Sequence, residues 1–94
     1  MDLVSLSNFS DPPKDGCILK TSSAELARAG LQSGDVVVAL DSHPVHNEAT
    51  YYFARAMSDD PVMHLIIWRN GKYSAISASP PDRRFGNSIG DYLR

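Results

Sequence analysis

Cysteine is almost absent from this chain. Cys17 stands alone, so no internal disulfide is available and cysteine usage leaves the compartment open. Long apolar runs are missing too: nothing approaches the ~20 residues that a membrane span requires. The start, Met1-Asp2-Leu3-Val4, is acidic and no long apolar segment follows it, so it does not read as a signal peptide. There is no excess of one charge. Nine Lys and Arg face eleven Asp and Glu, mixed along the chain, for a net charge of -2. That balance gives no electrostatic case for nucleic acid or an anionic membrane surface. Repeats, low-complexity tracts, a phosphate loop and a nucleophile elbow are likewise missing.

What is present fits one domain. A chain of 94 residues can bury a core, but a modest one. Its organising stretch runs from Ala29-Gly30-Leu31 through Gly34-Asp35, Val36–Leu40 and Asp41-Ser42-His43-Pro44 to Val45. Gly30 stands where a short helix ends in a left-handed residue, which glycine adopts without strain. Gly34-Asp35 turns the chain into a valine-rich run that reads as a strand buried on both faces. Around it, Leu3–Phe9 alternates well enough to predict a strand, and Ser10–Gly16 is a turn-rich loop. Cys17–Thr21 reads as the next strand. Ser22 is placed to cap a helix over 23–29, with Glu25 reaching back to it.

Asn47 caps a second helix over 48–57. Ala49, Tyr52, Phe53, Ala56 and Met57 follow helical spacing and are expected to face the core. Thr50, Ala54 and Met57 form a neighbouring flank. Asp60-Pro61 ends the helix, Val62–Trp68 is the longest strand, and Asn70-Gly71 makes a hairpin that returns it as Lys72–Ser79. That hairpin sets Trp68 opposite Tyr73 and Leu65 opposite Ile76. Pro80-Pro81 closes the unit at about residue 81. The tail 82–94 keeps Phe85, Ile89, Tyr92 and Leu93, too apolar for a disordered end. It either docks on the sheet or leads to a neighbouring domain.

The pattern Ala-Gly-Leu-x-x-Gly-Asp-Val, an apolar run, then x-Pro-Val, resembles the middle of a PDZ domain of the bacterial, protease-associated type. The resemblance covers roughly residues 3–78 and implies an α+β, mainly β fold: a small, partly open barrel of five to six strands capped by two helices. The family's usual first strand has no counterpart before the binding loop. The tail could replace it, as in circularly permuted bacterial versions. PDZ-like domains bind an extended peptide or protein C-terminus along a sheet edge, beside the second helix.

By that resemblance the loop is Val4-Ser5-Leu6, the receiving strand Leu6-Ser7-Asn8-Phe9, and the helix wall Thr50, Ala54 and Met57. The implied partner ends in a small to medium apolar residue, and adjacent domains of a longer chain are further partners. The implied role is regulatory or substrate-recognising, within a larger bacterial protein such as a protease. A periplasmic or membrane-associated location would follow from such a parent. The alternative is a structural PDZ-like unit with an occupied or vestigial groove, mediating intramolecular or oligomeric contacts.

Neither reading makes the chain an enzyme or gives it a cofactor. His43, His46 and Glu48 have a metal-like spacing, yet no cysteine or further acid completes a ligand set. Cys17, before Ile18-Leu19, reads as a small buried apolar residue rather than a nucleophile.

Overall fold

The computed structural model describes residues 3–94, so Met1 and Asp2 of the acidic start lie outside the described residues. Six strands and two helices follow one another: β1 (Asp15–Leu19), α1 (Ala24–Arg28), β2 (Val36–Leu40), β3 (His43–Pro44), α2 (Glu48–Ala56), β4 (Met63–Arg69), β5 (Lys72–Ala78) and β6 (Ile89–Leu93). Every strand pairing is antiparallel, in the order β5-β4-β2-β1-β6, with β3 added to β2. The fold is therefore mainly β, and the sheet is open, with β5 and β6 at its edges.

Local chemistry explains most of these elements. Ser23, one residue later than expected, caps α1 by accepting the Leu26 N–H at 3.0 Å. Gly30 then takes φ +80° just past the helix end. Asp35, buried at the start of β2, is held by Arg69 from the hairpin, Nε to Oδ1 at 2.6 Å and Nη2 to Oδ2 at 2.5 Å. It also accepts the Gln32 N–H at 2.9 Å, so one carboxylate fixes both the turn and the neighbouring strand end. At Asn70 (φ +52°) and Gly71 (φ +80°) the hairpin closes as its sequence demands. Trp68 pairs with Tyr73 and Leu65 with Ile76, as the turn predicts.

The two faces of the sheet carry separate cores. Cys17, Leu19, Leu65 and Ile67 face α1 and α2, joined there by Leu26, Tyr51, Ala54 and Phe85. Val36, Val38 and Ile66 face the other way and gather Val4, Phe9, Ile18, Trp68, Tyr73 and Tyr92. Alternation along β4 makes these opposite sides.

Two expectations fail here. Leu3–Phe9 is not a strand: Leu6–Asn8 is a single 3-10 turn capped by Ser5. Each free edge of β1 has been used, by β2 on one side and by β6 on the other, so no partner remains for it. The stripe Ala49, Tyr52, Phe53, Ala56 and Met57 does not face the core either. Tyr52 is 44% exposed, and Phe53 and Met57 are each 54% exposed, while Tyr51 and Ala54 are buried. Apolar residues nearly encircle α2, so periodicity pointed to its richest stripe rather than to the narrow one that meets the sheet.

Candidate functional site

The structure does not bring the two halves of the expected groove together. Val4–Phe9 packs on the sheet face opposite α2: the Val4 N–H bonds Ser42 O at 2.7 Å, and Phe9 stacks on Tyr73 with centroids 5.1 Å apart. Ser5 and Asn8 bond each other at the 3-10 turn, Leu6 is exposed, and Ser7 meets only the Ser5 hydroxyl, at 3.0 Å. A hollow of about 440 Å³ lies under this segment, lined by Val4, Phe9, Pro13, Val38 and Tyr73 among others.

On α2, Thr50 completes the helix cap. Its N–H donates to Asn47 Oδ1 at 2.8 Å, and its hydroxyl oxygen accepts the N–H groups of His46 (2.8 Å) and Asn47 (3.0 Å). Ala54 is in the core, and Met57 is the exposed C-cap. The expected wall is thus a cap residue, a buried core residue and an exposed helix end.

A different groove is present, built by the tail. Residues 79–88 carry the chain from β5 past the C-terminal end of α2, and β6 then runs along β1. Arg83 anchors this path. Its guanidinium donates to Asp41 Oδ2 (2.6 Å), Asp60 O (2.7 Å) and Arg55 O at the end of α2 (3.3 Å). Asp82 and Arg83 hold left-handed φ values of +55° and +58°, which turn the chain into this clasp. Phe85 fills the core below, and its carbonyl accepts the Ser23 hydroxyl. Farther on, Asp91 accepts the Glu48 N–H at 2.8 Å, tying β6 to the first turn of α2.

The β1–β6 ladder has a definite phase. Lys20 N–H bonds Ser88 O at 2.8 Å, and Arg94 N–H bonds Lys14 O at 3.0 Å. Antiparallel pairs alternate, so Gly90 and Tyr92 turn their amides toward β1, while those of Ile89, Asp91 and Leu93 point to the open edge. Ile89 packs against the core on the α2 side, whereas Tyr92 packs on the other face. Asp91, one of the residues with an outward amide, is the one tied to the first turn of α2.

Two hollows lie along α2, and only the one at its N-terminal end is also lined by a β6 residue, Asp91. One, of about 640 Å³, lies at the C-terminal end between Tyr52, Arg55 and Ala56 and the turn through Pro81, Asp82 and Arg84. The other, about 360 Å³, lies at the N-terminal end between Asn47, Glu48, Ala49, Tyr52 and Asp91. Tyr52 lines both, and the Arg55 guanidinium lies 4.9 Å from its ring centre. Sequence reasoning had assigned Ala49, Tyr52 and Ala56 to the core. It had no signal for Arg83 or Asp91 beyond the apolar character of the tail.

Burial pushes the Cys17 thiol up to about 12, with the Glu48 and Asp91 carboxylates adding to the shift. A thiol so shifted is a poor nucleophile at neutral pH. The Tyr51 phenol beside it is also raised by burial, to about 12. His46 pairs with Asp15 at 2.9 Å, and His64 meets the Ser77 hydroxyl at 3.0 Å. Among the described residues no three His, Cys, Asp or Glu side chains gather into a possible metal-holding group. No helix there is long and apolar enough to cross a membrane. No protein-family model matches this chain, and a search of curated proteins finds no relative.

Proposed function

We propose that this chain is a PDZ-like recognition module that binds the C-terminal segment of another protein, and not an enzyme. The guest adds as a strand to the open edge of β6, antiparallel to it, with its side chains against Tyr52, Arg55 and Ala56 of α2. One observation carries the reading: the outward amides of Ile89, Asp91 and Leu93 run beside an exposed apolar helix face. A guest antiparallel to β6 ends near Phe85-Gly86-Asn87, whose turn is the natural receiver of its terminal carboxylate. The preference for a small to medium apolar last residue is what the resemblance implies, with Tyr52 and Ala56 as the apolar part of the hollow there. A contact of this size corresponds to a Kd near 1 µM, about -8 kcal/mol. The resemblance alone adds a regulatory or substrate-selecting role in a larger bacterial protein such as a protease.

A structural role is the second reading, because β6 already covers the rim of β1 with the chain's own backbone. Titration with short peptides ending in valine, as free acids and as amides, separates the two. Recognition predicts amide shifts at Ile89, Asp91, Tyr52 and Ala56 for the free acid and much weaker ones for the amide. No shift with either peptide would overturn recognition.

A further inference from the structure

The groove beside α2 is not uniform along its length. At the α2 C-terminal end the lining is mixed: Arg55 and Arg84 stand with Asp59 and Asp82. The N-terminal hollow differs, because Glu48 and Asp91 contribute carboxylates and no lysine or arginine lines it. Both acids also act on the buried Cys17 thiol, so their charge converges on that end of β6. Two charges of one sign, facing one concavity without a cation between them, are complementary to a cation from outside.

Resting on the recognition reading above, we propose that the preferred guest carries a lysine or arginine two residues before its apolar C-terminal residue. The span follows from geometry. From Ala56 back to Ala49 along α2 is about 10 Å at ~1.5 Å per residue, or about three residues of extended chain at ~3.3 Å each. From Ile89 to Asp91 along β6 is two such steps. With the guest's last residue at the Ala56 end of α2, the side chain two places upstream shares its face and reaches Glu48 and Asp91. A long cationic stem there also covers Ala49 and Tyr52 with its methylenes.

The test uses the intact chain and six-residue free-acid peptides, acetyl-Gly-Ser-Lys-Ser-Ala-Val and acetyl-Gly-Ser-Ser-Lys-Ala-Val, with alanine and glutamate versions of each. Isothermal titration should give the second lysine peptide about fivefold tighter binding than its alanine version and about tenfold tighter than glutamate at low salt, while the first gains little over alanine. That gap should shrink toward 1 M salt, where charges are screened within ~3 Å. In Glu48→Gln/Asp91→Asn the lysine preference should fall to about onefold. Glu48→Gln alone, which keeps the backbone bond to Asp91, should give an intermediate ratio and guards against a folding loss. Equal binding of all the free acids, with shifts still at β6 and α2, overturns this inference and leaves recognition standing. No binding by any peptide overturns both.

Discussion

The first and last stretches of the chain carry comparable apolar content, yet only the last becomes a strand. Leu3, Val4, Leu6 and Phe9 end in a 3-10 turn on one face of the sheet, whereas Ile89, Tyr92 and Leu93 lie in a five-residue ladder with β1. Alternation alone does not decide such a contest; an available edge and something to hold the segment there do. The tail has Arg83 clasped by Asp41, Arg55, Asp60 and Val62, and Phe85 in the core. The leading segment has the Val4 N–H bonded to Ser42 O at 2.7 Å, one ring contact, Phe9 on Tyr73, and the Tyr73 hydroxyl donating to Asp11 O at 2.6 Å.

The sharpest way to break this contrast is to remove the clasp. Arg83→Ala leaves Asp41 without its cation and the carbonyls of Arg55, Asp60 and Val62 without this donor. Its expected cost is about 3–5 kcal/mol in urea unfolding. A loss under about 1 kcal/mol would show that β6 docks without Arg83.

High pH comes next. Cys17 and Tyr51 are buried neutral, with pKa values raised from 9.0 and 10.0 to about 12 in each case. The folded state thus holds these protons more tightly than the unfolded chain does. That stability is fully present below about pH 9 and is lost as pH rises toward 12. Cys17→Ala should flatten the lower part of this decline when unfolding is followed from pH 8 to 12. An unchanged pH curve would remove Cys17 from the account.

Phe9→Ala, at the better-held point of the leading segment, should cost about 1–2 kcal/mol, well below the clasp. Leu6→Ser should change stability by less than about 0.5 kcal/mol, since Leu6 is exposed in its turn. If Leu6→Ser cost as much as Phe9→Ala, the segment would be packed more extensively than its contacts indicate.

Much of the middle of the chain was legible because short-range chemistry decides it. Gly30 ends a helix, Gly34-Asp35 starts β2, Asn47 caps α2 and Asn70-Gly71 sets the hairpin register. The site was less legible, for two physical reasons. Apolar residues surround α2, so its richest stripe could belong to the core or to a groove, and Tyr51 and Ala54 took the core. The groove's other wall comes from the tail, whose placement depends on Arg83 reaching Asp41, a contact 42 residues away that no local pattern announces.

That reach has a kinetic side. The acceptors of Arg83 come from the β2–β3 turn, the last turn of α2 and the loop before β4, and they converge only after those parts have assembled. If the clasp closes after the rate-limiting step, Arg83→Ala should speed unfolding far more than it slows refolding. By that order β6, whose approach Arg83 anchors, would be the last strand of the sheet to be held in place.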